Sequence, residues 1–478
     1  MNTINSSSIG ADTPVKLPTI RFGGISSGQD TQTMVDSMLQ AARLPVKRLE
    51  LDTKRDEEKI TAWDEIDTNV SALGTKVNAL SSFTTWNQKV ATASDSAVVS
   101  AAVERTAGLG KYSVEVTTLA KAHRIASDSQ TSSSTPFGDL PSFVPGDFVL
   151  NGQTISVAAE DTVKTLRDKI NSAAGSMSDK VKASVVGTSL VIDRADTGNA
   201  AMTLTDGTGG VAAALGLDDG SGGFKHELQV GSDLDATVNG IAVTGTNNNK
   251  RTDVVEGLTF NFSKVGSSSL EITRDTSSLV TAFKDFISSY NDAMETAESY
   301  TRVTLATGGG KITSKGLLQG DAAVSALRFR TRSLVTARFH NPTTDAGATP
   351  SVNTLQDLGI WTAGRDNRLT LVSEEKLSNA LKNNFDDAED FARDFNKGIF
   401  RNLREYIDTS IAPVDGSFAR RKSGLEGQIQ KRNIKITFLN FQIAEKETQL
   451  FERFSTMEQT LAGIKSQGSY ISGSLGQR

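Results

Sequence analysis

The chain has 478 residues, a formal net charge of −5 at pH 7, no cysteine and three histidines. The lack of cysteine excludes disulfides and thiolate chemistry, the scattered His123, His226 and His340 argue against a zinc site, and the mild charge argues against nucleic acid as a partner. No apolar run approaches the roughly 20 residues of a membrane span, and the first residues lack the pattern of a cleavable signal, so no membrane insertion is expected.

The sequence of the N-terminal region predicts a polar arm followed by a first helix. Residues 1–28 are rich in Gly, Ser and Pro without periodicity, which is typical of a disordered segment. Asp30 is a suitable N-cap, and an apolar stripe follows it as far as Pro45, where a helix normally ends. We therefore predict a helix break and a domain boundary between Leu44 and Pro45.

A second helix is predicted over residues 46–80. Its first part is charged, and its second part places apolar residues at alternating three- and four-residue steps. This spacing gives a helix one continuous apolar face, which predicts packing against another helix. The residues of the face are Trp63, Ile66, Val70, Leu73, Val77 and Leu80.

The middle of the chain changes to a period of two, which predicts strands. Residues 112–117 alternate apolar and polar side chains, and the pairs Asn151-Gly152 and Asn239-Gly240 predict hairpins between flanking strands. Between the hairpins we predict one helix at 163–170 and one strand at 184–193. Prolines at 136–145 and glycines at 216–223 bound this part, so we expect a β domain inserted within a β domain.

Helical periodicity returns after two further strands at 258–262 and 270–272. Helices are predicted from Leu279, over 321–338 and over 385–411, and the last helix begins after Gly416. In that last helix apolar residues recur at a spacing of seven, which is a coiled-coil signal. This first row comprises Ile429, Ile436, Ile443, Leu450, Met457 and Ile464.

A second row in the last helix is incomplete. It comprises Leu425, Leu439, Phe454 and Leu461, and the basic residues Arg432, Lys446 and Arg453 interrupt it. Such a helix buries too little apolar surface alone and needs another apolar surface, which the helix at 46–80 offers. Two arrangements stay open: a hairpin of the two helices within one chain, and contacts of both chain ends with neighbouring copies.

Several segments approach catalytic or binding motifs without meeting their requirements. Residues 308–311 lack the spacing of a phosphate loop, and residues 218–222 lack the alternating ligands of a calcium loop. The arginines at 328, 330, 332 and 338 are interpreted as the solvated face of a helix. No serine stands in a nucleophile motif, so we expect no enzyme, cofactor, metal or catalytic residue, with a carbohydrate hydrolase as the enzyme alternative.

The order of short motifs along the chain resembles the flagellar filament cap proteins, the flagellar hook-associated protein 2 family. The N-terminal motifs are Ile25 to Thr31, Ala41 to Pro45 and Tyr112 to Val116. Residues 148–217 are similar to a small module shared with flagellins, through Leu150-Asn151-Gly152, Lys169-Ile170-Asn171, Ala183-Ser184 and Thr197-Gly198. The C-terminal motifs are Phe286 to Asn291, Gly316 to Asp321, Leu358 to Ile360 and Gln467 to Tyr470.

The resemblance implies an α+β multidomain fold. Terminal helices would form a coiled-coil or helical base, with two nested, mainly β domains inserted between them. The expected ranges are 1–44 with 432–478 for a partly disordered leg region, 45–85 with 277–431 for a helical domain, 86–134 with 230–276 for a β domain, and 135–229 for an outer module. Assembly is expected to use the apolar face at 63–80 together with Ile429, Ile436, Ile443, Leu450, Phe454, Met457, Leu461 and Ile464.

The resemblance also implies a structural role at the distal end of a bacterial flagellar filament, where the protein would promote folding and polymerisation of flagellin. Its implied partners are further copies in a ring, commonly pentameric in the family, flagellin, the hook–filament junction proteins and an export chaperone. The implied location is extracellular, after export by the flagellar type III apparatus without a cleaved signal. The alternative is a surface adhesin that binds through residues 130–225, and the two functions can coexist.

Overall fold

The structure, a computed structural model, describes residues 30–141, 143–243, 247–305, 312–339, 350–362, 367–395 and 398–475. The predicted arm at 1–28 lies outside the described residues. The chain divides into two compact units, one drawn from Met1–Ser81, Phe283–Ala380 and Asp386–Arg478, and one from Ser82–Ala282 with Leu381–Phe385. Helices towards both ends and a β-rich middle confirm the predicted fold class. The four domain ranges stay a prediction.

Helix α1 (Thr31–Ser81) is continuous through Pro45, so the predicted helix break is wrong. Its start is confirmed, because the Asp30 carboxylate accepts a hydrogen bond from the Gln32 N–H at 3.0 Å. Proline removes the N–H that would bind the Ala41 carbonyl. Both Ala41 and Pro45 are exposed, so water can satisfy that carbonyl and the proline ring meets no neighbouring element. Val46, one residue further on, is buried again.

The second unit begins with one short helix and four strands. These are α2 (Phe83–Trp86), β1 (Lys89–Ala93), β2 (Val99–Val103), β3 (Gly110–Thr118) and β4 (Arg124–Ala126). In β3, Val114 and Val116 are buried while Ser113 and Glu115 are exposed, which confirms the predicted alternation. This strand therefore has one face in the core and one face towards solvent.

Residues 146–229 contain six strands and two helices. They are β5 (Gly146–Leu150), β6 (Gln153–Val157), α3 (Val163–Ala173), β7 (Val181–Val186), β8 (Ser189–Arg194), β9 (Leu204–Asp206), α4 (Val211–Ala214) and β10 (His226–Gln229). They form sheets of order β6-β5-β9 and, together with β4, β10-β4-β8-β7. The predicted hairpin at Asn151-Gly152 is confirmed, since both residues have positive φ (46° and 79°) and join β5 to β6.

The single strand predicted at 184–193 is wrong, because β7 and β8 form a hairpin there. Gly187 has a φ of +62° and reverses the chain together with Thr188. A glycine adopts this conformation without the steric cost that other residues meet. The glycine within the apolar run was the signal for this turn.

Residues 235–274 contain five further strands. They are β11 (Asp235–Val238), β12 (Ile241–Ala242), β13 (Lys250–Arg251), β14 (Leu258–Phe262) and β15 (Gly266–Arg274). Two antiparallel sheets, β1-β15-β3-β11-β12 and β13-β14-β2, enclose one core that includes Val116, Phe260 and Leu270. The second predicted hairpin is also confirmed, with Asn239 and Gly240 at φ 52° and 77°.

The C-terminal half is mainly helical. Its elements are α5 (Thr276–Ser299), β16 (Val303–Leu305), β17 (Ile312–Lys315), α6 (Ala322–Val335), β18 (Ile360–Thr362), β19 (Leu369–Leu371), α7 (Glu374–Asn383), α8 (Phe385–Arg393), α9 (Ile399–Ile411) and α10 (Ser417–Leu475). The one helix predicted at 385–411 is two, α8 and α9. A Cβ on Gly398 would lie 2.5 Å from the Asp394 nitrogen, so the approach of these residues requires glycine.

Three asparagine side chains each bind both backbone groups of one residue. In each case the amide oxygen accepts from the backbone N–H and the amide nitrogen donates to the carbonyl of the same residue. The side-chain amide thereby replaces the backbone N–H and C=O groups that a neighbouring strand would offer. The pairs, with N···O distances of 2.8–2.9 Å, are Asn171 with Ala183, Asn249 with Ala120, and Asn291 with Leu369.

Asn171→Asp should loosen β7, the edge strand of its sheet, at neutral pH. The carboxylate keeps an acceptor for the Ala183 N–H but places a second oxygen against the Ala183 carbonyl, which costs about 1–3 kcal/mol. Hydrogen exchange over residues 181–186 should therefore become about tenfold faster or more. Near pH 4 the protonated side chain can donate again, so the difference from wild type should shrink. Ser172→Ala is the control, and unchanged protection in Asn171→Asp at neutral pH would contradict this role.

Candidate assembly site

The apolar face predicted on α1 lies in the core of the first compact unit, which contains α1, α9 and α10 and which we call the helical unit. Trp63, Ile66, Val70, Leu73, Val77 and Leu80 are all buried. The Trp63 ring lies 5.1 Å from the ring of Phe418 at the start of α10. At Gly74, a Cβ would lie 3.0 Å from the Ile407 side chain, so α9 approaches α1 closely there. This face is therefore covered within the chain by α9 and α10.

The predicted rows of α10 are covered unequally along the helix. Leu425 is buried, and the following residues of the two rows are partly buried as far as Leu450. Beyond it, Phe454 and Leu461 stay partly buried, whereas Met457 is 42% and Ile464 60% exposed. The first part of α10 therefore packs against its own chain, whereas the predicted row residues Met457 and Ile464 are exposed. Whether these residues make assembly contacts stays a prediction.

After Ile443 the partly buried residues of α10 no longer follow the strict seven-residue repeat, and their line moves gradually around the helix. It passes through Glu447, Leu450, Phe454 and Leu461, while Lys446 and Arg453 are exposed. A straight α-helix drifts by about 20° per seven residues relative to a strict seven-residue repeat. Met457 and Ile464, which continue the strict seven-residue repeat, lie off this line and are exposed. The shift also takes two of the three interrupting basic residues out of the contact.

The third basic residue, Arg432, forms an ion pair with α1. Its Nη1 lies 2.6 Å from Oδ2 of Asp56, and the Lys59 Nζ lies 2.8 Å from Oδ1 of the same carboxylate. Burial raises the pKa of Asp56, but hydrogen bonds from Lys59 and Arg432 outweigh burial and hold that pKa below its ordinary value. Arg432 therefore does more than interrupt the row, because it forms an ion pair with the buried carboxylate of Asp56 on α1.

A second ionic contact shows that α1 and α10 run antiparallel. Lys422 Nζ lies 3.0 Å from carboxylate oxygens of both Asp64 and Asp67. Ten residues later on α10, Arg432 reaches Asp56, which precedes Asp64 on α1. We call these two helices the α1–α10 pair. Sequence reasoning missed its acidic residues, although an acid within the apolar pattern of a helix, as at Asp56, is a signal for a basic partner.

The arginines at 328, 330, 332 and 338 divide into two groups, and Arg338 lies beyond the end of α6. Arg330 and Arg338 are exposed, as predicted for a solvated face. That interpretation is wrong for Arg328 and Arg332, which are partly buried. Arg328 donates to the Thr301 hydroxyl at 3.2 Å, and Arg332 donates to the amide oxygen of Asn367 at 2.7 Å. These two side chains thus connect α6 by hydrogen bonds to neighbouring segments of the same unit.

The remaining motifs considered above have simple local explanations or lie outside the described residues. The Asp219 carboxylate accepts hydrogen bonds from the Ser221 and Gly223 N–H groups at 2.8 and 3.0 Å, as in a turn. The loop at 308–311 is not among the described residues. Within the described part of the chain, none of the helices is both long enough and apolar enough to cross a membrane.

Comparison with known proteins points to one family along most of the chain. Residues 27–123 match the family model "Flagellar hook-associated protein 2 N-terminus", and residues 231–466 match "Flagellar hook-associated protein 2 C-terminus". The A-type flagellar hook-associated protein 2 of Pseudomonas aeruginosa is 26% identical, over 93% of this chain and 94% of its own length. Flagellar hook-associated protein 2 of Escherichia coli O157:H7 is also 26% identical, over 94% of this chain and 96% of its own.

A solved structure shares the fold. The D1-D2-D3 domains of the flagellar cap protein FliD from Escherichia coli match with a TM-score of 0.51 at 24% sequence identity. The match covers 76% of this chain and 99% of that one. The arrangement of terminal helices around a β-rich middle is thus common to both.

Proposed function

Because this chain belongs to the flagellar hook-associated protein 2 family, we propose that it caps the distal end of a bacterial flagellar filament. The observation that carries the proposal is the match of family models to both ends of the chain. Those are the ends that the α1–α10 pair joins through Asp56 and Arg432. The shared fold with a flagellar cap protein supports the same function.

In this proposal several copies form a ring over the growing tip, and exported flagellin folds and polymerises beneath it. The exposed Met457 and Ile464 on the outer part of α10 support such a role, since exposed apolar residues favour contacts with other subunits. The binding of each new flagellin would supply the free energy that moves the cap, so no nucleotide and no enzyme activity are needed. The contacts of the terminal helices with the filament would be weak enough to be exchanged as the cap moves.

The proposal includes the location and the remaining partners. The chain would act outside the cell at the filament tip, after export by the flagellar type III apparatus. Hook–filament junction proteins and an export chaperone would be further partners. The partly buried Ile443, Leu450 and Phe454 give a chaperone an apolar surface on α10 that is only partly covered in the folded chain.

Deletion of the gene from its source bacterium should prevent filament growth and release unpolymerised flagellin into the medium. The full chain should restore filaments, whereas a chain that ends at Gly424 should not, because it lacks most of α10. Ser455→Ala is the control on α10, and it should restore filaments because that side chain is polar and exposed. Flagellin in the medium and in filaments is measured by immunoblot. Normal filaments in the deletion strain would contradict the proposal.

A chain without residues 130–225 separates capping from the adhesin alternative. If the module serves assembly, its loss should reduce filament growth and motility. Normal motility with a loss of surface binding alone would assign the module to adhesion.

A further inference from the structure

Two apolar rows on the α1–α10 pair face away from the contact between the two helices. One row is Leu44 and Leu51 on α1, and we call it the α1 outer row. The other is Ile434, Phe438 and Phe441 on α10, which we call the α10 outer row. These five side chains are 54–72% exposed, so their own chain covers less than half of each. Large apolar side chains grouped in this way favour contact with another surface.

The two rows lie on opposite edges of the pair. On α1, Leu44 lies midway between Ala42 and Val46, which are covered. On α10, Phe441 lies midway between the partly buried Leu439 and Ile443. Two residues correspond to about 200° around an α-helix, so each outer row points away from the partner helix.

The two rows also lie at the same level along the pair. The Asp56–Arg432 contact aligns the two antiparallel helices. Each step back along α1 from Asp56 corresponds to one step forward along α10 from Arg432. By this count Leu51 lies level with Thr437, and Leu44 lies level with Ala444. The α1 outer row therefore spans the same stretch, about 10 Å long, that contains Phe438 and Phe441.

We propose that the α1 outer row of one copy packs against the α10 outer row of the next copy. The inference rests on the proposed function and specifies how copies contact one another within the ring. Each copy would offer one row to each neighbour, which is a heterologous contact. Because both rows lie at one level, successive copies need no shift along the helix axis. A heterologous contact without such a shift closes a ring when the rotation between successive copies adds up to a full turn, and the proposal requires that rotation.

The charges beside the rows are complementary in this arrangement. Lys47 and Arg48 flank the α1 outer row at the level of Phe441, and Glu445 follows Phe441 by one turn of α10. A cation over a phenylalanine ring and a pair with Glu445 both favour this contact. Opposite charges therefore meet at this end of the rows.

Cysteine cross-linking tests the contact, because the chain has no cysteine of its own. Leu51→Cys and Phe438→Cys variants are prepared separately and oxidised alone and as a mixture. The proposal expects covalent dimers in the mixture and none in either variant alone. The double variant should give a ladder of larger covalent species. A mixture of Leu51→Cys with Tyr470→Cys is the control and should not cross-link, since Tyr470 lies far along α10 from the rows.

Sedimentation velocity of the wild-type chain separates failure of this inference from failure of the proposed ring. If the wild-type chain forms a discrete oligomer but the mixture gives no dimer, the ring stands and the contact between the outer rows is overturned. Dimers of Phe438→Cys alone would mean that the α10 outer row faces itself, which also overturns it. A wild-type chain that stays monomeric at all concentrations would overturn both the ring and the contact.

Discussion

Trp63→Ala should lower the free energy of unfolding of the helical unit by about 3–5 kcal/mol, the usual cost of removing a large buried aromatic side chain. Trp63 is fully buried, and its ring contacts Phe418, so alanine would leave a cavity where α1 meets the start of α10. For a unit of this size the cost corresponds to a decrease in Tm of about 6–20 °C. Circular dichroism at 222 nm follows the loss of helix directly.

Two variants show whether this effect comes from the cavity. Trp63→Phe keeps most of the aromatic volume, and the indole N–H has no hydrogen-bond partner among the described residues, so the loss should be much smaller. Tyr470→Ala removes an exposed aromatic residue of α10 and should leave Tm unchanged. A Tm within about 2 °C of wild type for Trp63→Ala would mean that the α1 face is not the core of this unit.

Arg432→Met should destabilise the α1–α10 pair by about 1–3 kcal/mol, because the buried carboxylate of Asp56 then keeps only Lys59 as a cationic partner. Replacing both Asp56 and Arg432 with leucine should recover most of this loss, since an apolar pair needs no compensating charge. Chemical denaturation of the three proteins gives the free energies of unfolding. Arg453→Met is the matched control, because Arg453 is exposed on the same helix.

The same ion pair predicts a dependence on pH. The pKa of Asp56 is lower in the folded chain than in the unfolded chain. Its contribution to stability is therefore complete at pH values above the unfolded pKa of about 3.9 and is lost as the pH falls through the folded pKa. Stability of the leucine double variant should decline less than that of wild type below pH 4. Equal declines would show that Asp56 does not contribute through its charge.

Local rules predicted the hairpins and the covered face of α1. An Asn-Gly pair adopts the left-handed conformation of a tight turn with little dependence on the rest of the fold, and both predicted turns are present. The three- and four-residue steps from Trp63 to Leu80 likewise require only that a helix forms. These features could be read from sequence because neighbouring residues determine them.

Two of the errors occur where structure distant in sequence decides the outcome. Proline at position 45 is tolerated because α1 is exposed on that side, a fact that local rules do not contain. Arg432 was interpreted as an interruption because its partner, Asp56, lies hundreds of residues earlier. The pair of Asn171 with Ala183 was visible only as two motifs of a family resemblance, and the structure supplies its physical reason.

Labelling of the chain on intact flagella tests the proposed capping role most directly. A small epitope placed after Arg478 in a strain that makes only this tagged chain can be located by immunogold electron microscopy. The proposal predicts label at the distal end of each filament and nowhere along the shaft. Label spread along the filament, or confined to the cell surface while the tips stay bare, would contradict it.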